Sequence, residues 1–313
     1  MNKLNLLVLL VSVFSNVSIL LAADLVVQQG GPVGTYSTIT SAITAATDGD
    51  NIVINNRLDG LPWQENLTIN KSLTFVSAVD NIQWWMEGTI SITMAESRQI
   101  TIVGMRNTLV AGTISRSGTA PVNRTLVNIL FCDIASDISM GSGINLYLGS
   151  TKVRDISFTY GKIYGNDVRS ITLNPDGVVT EDVVQIIGNR TGFSWSPVTT
   201  GINCVSNTQY IFLSNNYSRG SGWGIYVGSL KAGSVTNRII NSASSSTFSG
   251  TAANNFSAIS LFHTSGNLAI ENSVFAGTYT NATNGSHSIY GNATAISLTT
   301  FTYNMHMNYF SGG

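Results

Sequence analysis

Short segments of alternating apolar and polar residues run along most of the chain, separated by turns rich in Gly, Asn and Ser. TISITM (89–94), INLYLG (144–149), SITLN (170–174), INCVS (202–206), GIYVG (224–228) and AISLF (258–262) each alternate with a period of two. That period marks a strand with one buried face. A second set of segments begins KSLTFVSA, RQITIVGMRN, TLVNILFCDIAS, KVRDISFTYGKIYG, DVVQIIGNRTG, QYIFLSNNYSRG, NRIINSASS, LAIENSVFAG and YNMHMNYFSG. Aligning these places anchors at Phe75, Ile102, Ile129, Ile156, Ile186, Phe212, Ile239, Ile270 and Met305. The first three intervals are 27 residues each and the later ones run from roughly 25 to 35.

About three short strands per repeat is what one coil of a parallel β-helix needs. A single coil cannot bury its own apolar face, so neighbouring coils stack into a continuous core. The expected fold is therefore all-β: a right-handed parallel β-helix of about ten coils of roughly 27 residues. A β-sandwich also contains many short strands, but it needs no fixed register between them.

One helical segment is expected, from Thr38 to Thr47, with Ile39, Ile43 and Ala46 on one face and Asp48-Gly49 as its stop. Leu25 to Val27 precedes it as a strand able to cover the open end of the stack. Around these lie Gly34, Tyr36, Ile39, Gly49-Asp50, Glu65-Asn66-Leu67-Thr68-Ile69 and Lys71-Ser72-Leu73-Thr74. This order, with the later turns LSNN, IINS and IENS, resembles the pectin-lyase-like β-helix superfamily of the bacterial surface or secreted type. The resemblance covers nearly all of the chain after residue 23. It implies the fold but no single activity, because that superfamily holds lyases, hydrolases, epimerases, adhesins and inert surface proteins.

Composition narrows the classes. Charged residues make up 10% of the chain, against a usual share of about 25%, and the net charge is −1. No basic field is available to replace counterions on phosphate, so nucleic acid is not an expected partner. Residues 1–23 read as a signal peptide, with Lys3 ahead of an apolar run and Ala22-Ala23 at its end. The run is also long enough to span a bilayer. Polar Asn5, Ser12, Ser15, Asn16 and Ser18 favour a cleaved signal, which leaves residues 24–313 as one exported β-helix domain with residues 24–50 as its cap and no stable membrane span. Cys132 and Cys204 lie nearly three repeats apart, too far along a coil stack for a disulfide, and read as small buried hydrophobes.

The search for chemistry yields little. The lyases of this fold use a base beside a carboxylate cluster that binds calcium, and its hydrolases use paired carboxylates across the sugar bond. Here the carboxylates are scattered, and neither a Gly-His-Gly nor an Arg-Ile-Lys motif occurs. Glu181-Asp182 are adjacent and should point apart on a strand. Lys152, Arg154 and Asp155 form the best charged cluster and read as surface ion pairs. Asp48 and Asp50 read as a helix-ending turn rather than a calcium loop. His263, His287 and His306 stand alone in the sequence. The catalytic residues are thus unknown, and neither metal nor cofactor is expected.

Tryptophans in turn-like surroundings are the carbohydrate-contact candidates: Trp63, Trp84, Trp85, Trp195 and Trp223. Asn-x-Ser/Thr triplets recur at Asn66, Asn70, Asn123, Asn189, Asn216, Asn255, Asn281, Asn284 and Asn292, as chance allows in a chain this rich in Asn, Ser and Thr. Asn215, Asn241 and Asn272 are candidates for amide ladders inside turns. The final repeat ends at Phe310–Gly313 without an evident cap, so either truncation or self-association through an open last coil is expected. The leading expectation is a secreted or cell-surface, non-catalytic module that adheres to, or binds, a polysaccharide or cell-surface glycan, or serves as a structural spacer. The alternative is a lyase or hydrolase of acidic polysaccharide.

Overall fold

The computed structural model of the chain describes residues 22–176, 179–193, 199–249, 257–262, 266–280, 287–291, 303–306 and 309–311. Its strands form two sheets, of 12 and 19 strands. Every register pairing between described strands is parallel, as between Ile52 and Phe75 or between Ile138 and Ile156. Parallel neighbours one coil apart make the chain a parallel β-helix and rule out a sandwich of antiparallel sheets.

Each coil has up to three faces. Face 1 is the 12-stranded sheet, which holds one strand per coil from Asp24–Val27 to Tyr303–His306. Twelve rungs at about 4.8 Å give a stack roughly 50 Å long. Faces 2 and 3 merge into the larger sheet because Lys152–Phe158 and Asp167–Leu173 each run through both. The period-two alternation breaks at Arg154-Asp155, where both side chains are only partly buried and the strand bends from one face to the other.

Inside, side chains stack rung upon rung. On face 3, Leu67 is followed by eight isoleucines in register, from Ile90 through Ile156 to Ile259. From Leu67 to Ile259 each is at most 1% exposed. Face 1 carries a matching column through Phe75, Ile102, Ile129, Leu148, Ile163, Ile186, Leu213, Ile239 and Ile270. β-branched residues suit such columns because their stiff side chains pack well on a pleated surface.

Two expected anchors are corrected. Ile156 lies in the face 3 column, paired with Ile138 and Ile171, and the face 1 anchor after Ile129 is Leu148. Phe212 points outward, and Leu213 takes the inner position. The repeat is also less regular than its first coils. Thr101 pairs with Thr74 and Asn128, each 27 residues away, but Asn128 pairs with Tyr147 and Tyr147 with Lys162, only 19 and 15 residues on. Where the strand bends straight from face 2 to face 3, the turn residues between them are absent and the coil shortens.

The amino-terminal cap is held by charge. The helix spans Ile39–Ala45, and Thr38 and Ser41 form a capping box at its start. The Glu65 carboxylate accepts from the backbone N–H groups of Ile39 and Thr40 at 2.9 and 2.8 Å. Lys71 Nζ donates to the carbonyls of Ile43, Thr44 and Ala46 at 2.6–2.9 Å. An anion at the helix start and a cation at its end both match the helix dipole and satisfy groups the helix leaves open. Glu65 and Lys71 thereby tie the helix to the first full coil.

Asp50 secures the covering strand. Its buried carboxylate accepts from Ala23 N at 2.8 Å and from Thr47 N at 2.7 Å. The Thr47 N–H first, and then that of Ala23, hold the carboxyl below its ordinary value of 3.8. A folded-state value below the unfolded one contributes stability above the unfolded value, and this is lost as pH falls through the folded value. The cap of the native protein is therefore expected to loosen below about pH 4. Asp50→Asn should be less stable at neutral pH and respond less to acid. Hydrogen exchange of residues 24–27 across pH, in a chain that retains Ala23, would check this, and equal acid sensitivity in both proteins would count against it.

Candidate functional site

The turn from face 1 to face 2 repeats a two-residue device. Its first residue has a left-handed backbone: Gly104 (φ 64), Phe131 (φ 56), Ser150 (φ 49), Gly165 (φ 64), Gly188 (φ 66), Asn215 (φ 54), Asn241 (φ 48) and Asn272 (φ 46). The second residue turns inward, and from Cys132 onward its side chain accepts the backbone N–H of its counterpart one coil earlier. The series runs Met105 N to Cys132 Sγ, Cys132 N to Thr151 Oγ1, Thr151 N to Asn166 Oδ1, and on through Asn189 and Asn216 to Ser242 and Ser273. The amide ladder is therefore Asn166, Asn189 and Asn216. Asn215, Asn241 and Asn272, expected inside, instead occupy the left-handed position and are exposed, because Asn tolerates that backbone. The triplets at Asn189 and Asn216 are interior, at 1% and 2% exposure.

Phe131 is the one bulky residue in this series, where Ser150 is the other that is neither Gly nor Asn. Gly and Asn adopt the left-handed region readily, whereas for a bulky residue it is a true outlier that costs roughly 1–3 kcal/mol. Its ring is also 60% exposed. It borders a cleft of about 450 Å³ lined by Val76, Ser77, Val79, Asp80, Asn81, Ile82, Gln83, Val103 and Gly104. Val79 and Ile82 are 49% and 50% exposed, so three large apolar side chains face water around one opening.

The surrounding chain fixes this opening. Gln83 Nε2 donates to the Phe131 carbonyl at 3.0 Å, which ties the loop to a turn two coils away. Asn56 Nδ2 donates to the Gln83 carbonyl at 3.0 Å. Trp84 Nε1 donates to the Val103 carbonyl at 3.0 Å, from beneath the floor. A Cβ placed on Gly104 would meet nothing within 4 Å, so the floor opens to solvent there. Apolar walls, one exposed aromatic ring and the polar Ser77, Asp80, Asn81 and Gln83 suit a flat ligand with an apolar face and a hydroxylated rim.

The tryptophans are distributed differently from expectation. Trp63 and Trp84 are core residues, 3% and 0% exposed, so no ligand can stack on them; their register turns them inward. Trp85 is half-buried on face 2, with the Arg106 guanidinium 4.9 Å from its ring centroid and its Nε1 donating to Thr108 Oγ1 at 3.0 Å. Trp223 is half-buried on face 3, its ring centroid 5.1 Å from that of Tyr226, which in turn lies 5.5 Å from Phe262. Six coils, or roughly 29 Å along the axis, separate Trp85 from Trp223. Trp195 and His263 lie outside the described residues. Phe131 is absent from the sequence-based candidates, although aligning LFCD with IVGM, IIGN and LSNN shows Phe where other coils carry Gly or Asn and the next coil carries Ser150.

The charged residues form pairs between coils. Arg154 makes a two-pronged contact with Asp137 at 2.6 and 2.7 Å, and Arg169 does the same with Asp155. Arg154 and Asp155 thus serve different partners on a bend. On the turn from face 3 to face 1, Glu181 accepts from Lys231 Nζ at 2.7 Å and from the Tyr210 hydroxyl at 3.2 Å. Hydrogen bonding from Lys231 lowers the Glu181 pKa. Arg124 lies 2.7 Å from Asp176 and 3.7 Å from Asp182. Among the described residues no group of three His, Cys, Asp or Glu side chains is placed to hold a metal ion.

Cys132 and Cys204 are both free and buried, one in the turn ladder and one on face 3 between Leu173 and Val227. Burial pushes both thiols up to about 12, so they pack as hydrophobes. Comparison with family models, with curated proteins and with solved structures finds no match to this chain.

Proposed function

We propose that the protein is a secreted or cell-surface β-helix that binds carbohydrate without catalysis, through the cleft beside Phe131. The observation that carries this reading is the Phe131 ring, held exposed in a costly left-handed backbone over an apolar opening. Strain of this kind persists where a site uses it. A pyranose presents an apolar C–H face to an aromatic ring and hydroxyls to the rim. Asp80 is the one charged group among the lining residues, and it repels a uronate while accepting from neutral hydroxyls. The ligand class is therefore a neutral glycan. The signal-like residues 1–23 and the resemblance to pectin-lyase-like surface proteins support export.

The test is a glycan array of neutral and acidic sugars, followed by calorimetric titration of the best ligand. Uronate polymers are assayed beside it for new reducing ends and unsaturated products, with and without calcium. Neutral-glycan binding without turnover is expected. Turnover that disappears in Arg154→Ala or Asp155→Asn would overturn the non-catalytic reading in favour of a lyase or hydrolase.

A further inference from the structure

The outer surfaces of faces 1 and 3 differ sharply. On face 3 the outward column is Thr68, Ser91, Ser115, Ser139, Ser157 and Thr172, a line of hydroxyls. On face 1 the corresponding outward column carries seven apolar residues, Val53, Val76, Val103, Leu130, Tyr164, Ile187 and Ile240, interrupted by Gly149 and the buried Ser214, and passes on to Glu271. All seven are half-exposed. Strand propensity alone does not explain the stripe, since it would favour β-branched residues on face 3 equally. Parallel sheets that carry apolar residues on both sides are normally covered on both sides.

The stripe is also flat. Where Gly149 replaces an aliphatic residue, the Tyr164 ring lies over it: a Cβ on Gly149 would sit 2.1 Å from that ring. Tyr147 packs against Tyr164 with ring centroids 4.9 Å apart. From Val26 to Ile240 the stripe covers ten rungs, or roughly 43 Å. With the adjoining outward column, which is mostly polar and runs through Thr74, Thr101, Asn128, Tyr147, Lys162 and Gln185, the surface is about 13 Å wide. Two such surfaces would bury on the order of 1,100 Å² in total, which reaches the lower range of specific interfaces. Its side chains recur once per coil, and a surface with the same repeat can meet them rung for rung along the whole length. Another copy of this chain has that repeat.

We infer that face 1 is a self-association surface, on which a second copy packs its own aliphatic stripe to form a dimer side by side. The contact runs along the flank of the stack and does not use the last coil. At its amino-terminal end the stripe shares Val76 and Val103 with the cleft, whereas Ile187 and Ile240 lie several rungs beyond it, so variants there test the association without touching the cleft.

Sedimentation of the purified protein tests it. A dimer with a dissociation constant on the order of micromolar is expected. Ile187→Lys should weaken it at least tenfold, while Ser139→Lys on face 3 leaves it unchanged and Phe131→Asn alters glycan binding alone. Oxidative footprinting of the wild-type protein needs no variant: Leu130, Tyr147 and Tyr164 should become protected as concentration rises, with Tyr226 unaffected. A monomer at about 100 μM, or a dimer with these residues still reactive, would overturn the inference.

Discussion

Replacing Ile156 with aspartate is expected to unfold the protein or to lower its stability by more than about 4 kcal/mol, the range reserved for an unpaired charge in a packed core. Ile156 is 1% exposed and sits between Ile138 and Ile171 in the face 3 column. No cation is within that column to pair with the new carboxylate, and two rungs would lose their contact at once. The neighbouring Ser157→Asp places the same charge one residue on, where the side chain points outward. That change should cost less than about 1 kcal/mol. Denaturant titration of both variants reads the difference. The opposite order, with Ser157→Asp the severe change, would mean that the register of face 3 is wrong by one residue, since a single slip exchanges inside for outside.

Phe131→Asn is expected to do two opposite things. It should stabilise the fold by about 0.5–1 kcal/mol, because Asn tolerates the left-handed backbone that Phe pays to adopt. It should also weaken glycan binding at least tenfold, or about 1.4 kcal/mol, because the stacking ring is gone. Thermal melts and titration calorimetry on the same preparation measure both. Asn already fills the equivalent position at Asn215, Asn241 and Asn272, so the substitution fits the coil. A variant that is less stable yet binds normally would show that the ring is a packing element and that the cleft is not the site.

Much of this architecture is legible in the sequence. Period-two alternation identifies the strands, the 27-residue spacing from Phe75 to Ile129 sets the first rungs, and Ile39, Ile43 and Ala46 predict the buried face of the helix. The separation of Cys132 and Cys204 excludes their disulfide before any coordinates are known. These features are local, or they follow from counting residues along a regular stack.

Tertiary structure alone decided which face each strand joins and which side of it is inside. All three faces share the same alternation, so nothing local separates Ile156 on face 3 from Leu148 on face 1. At Arg154-Asp155 the chain changes face without a Gly or Pro to mark the bend, and the coil there is 15 residues, after one of 19, rather than 27. Trp84 and Trp85 are adjacent in the same turn-like setting, yet one is core and the other is half-exposed, because register is settled by pairing with Met105 and Arg106 one coil later. The same one-residue ambiguity separates Asn215 on the surface from Asn216 in the ladder. The cleft combines residues from coils that are 27 or more positions apart, and only stacking brings Phe131 beside Val79 and Ile82.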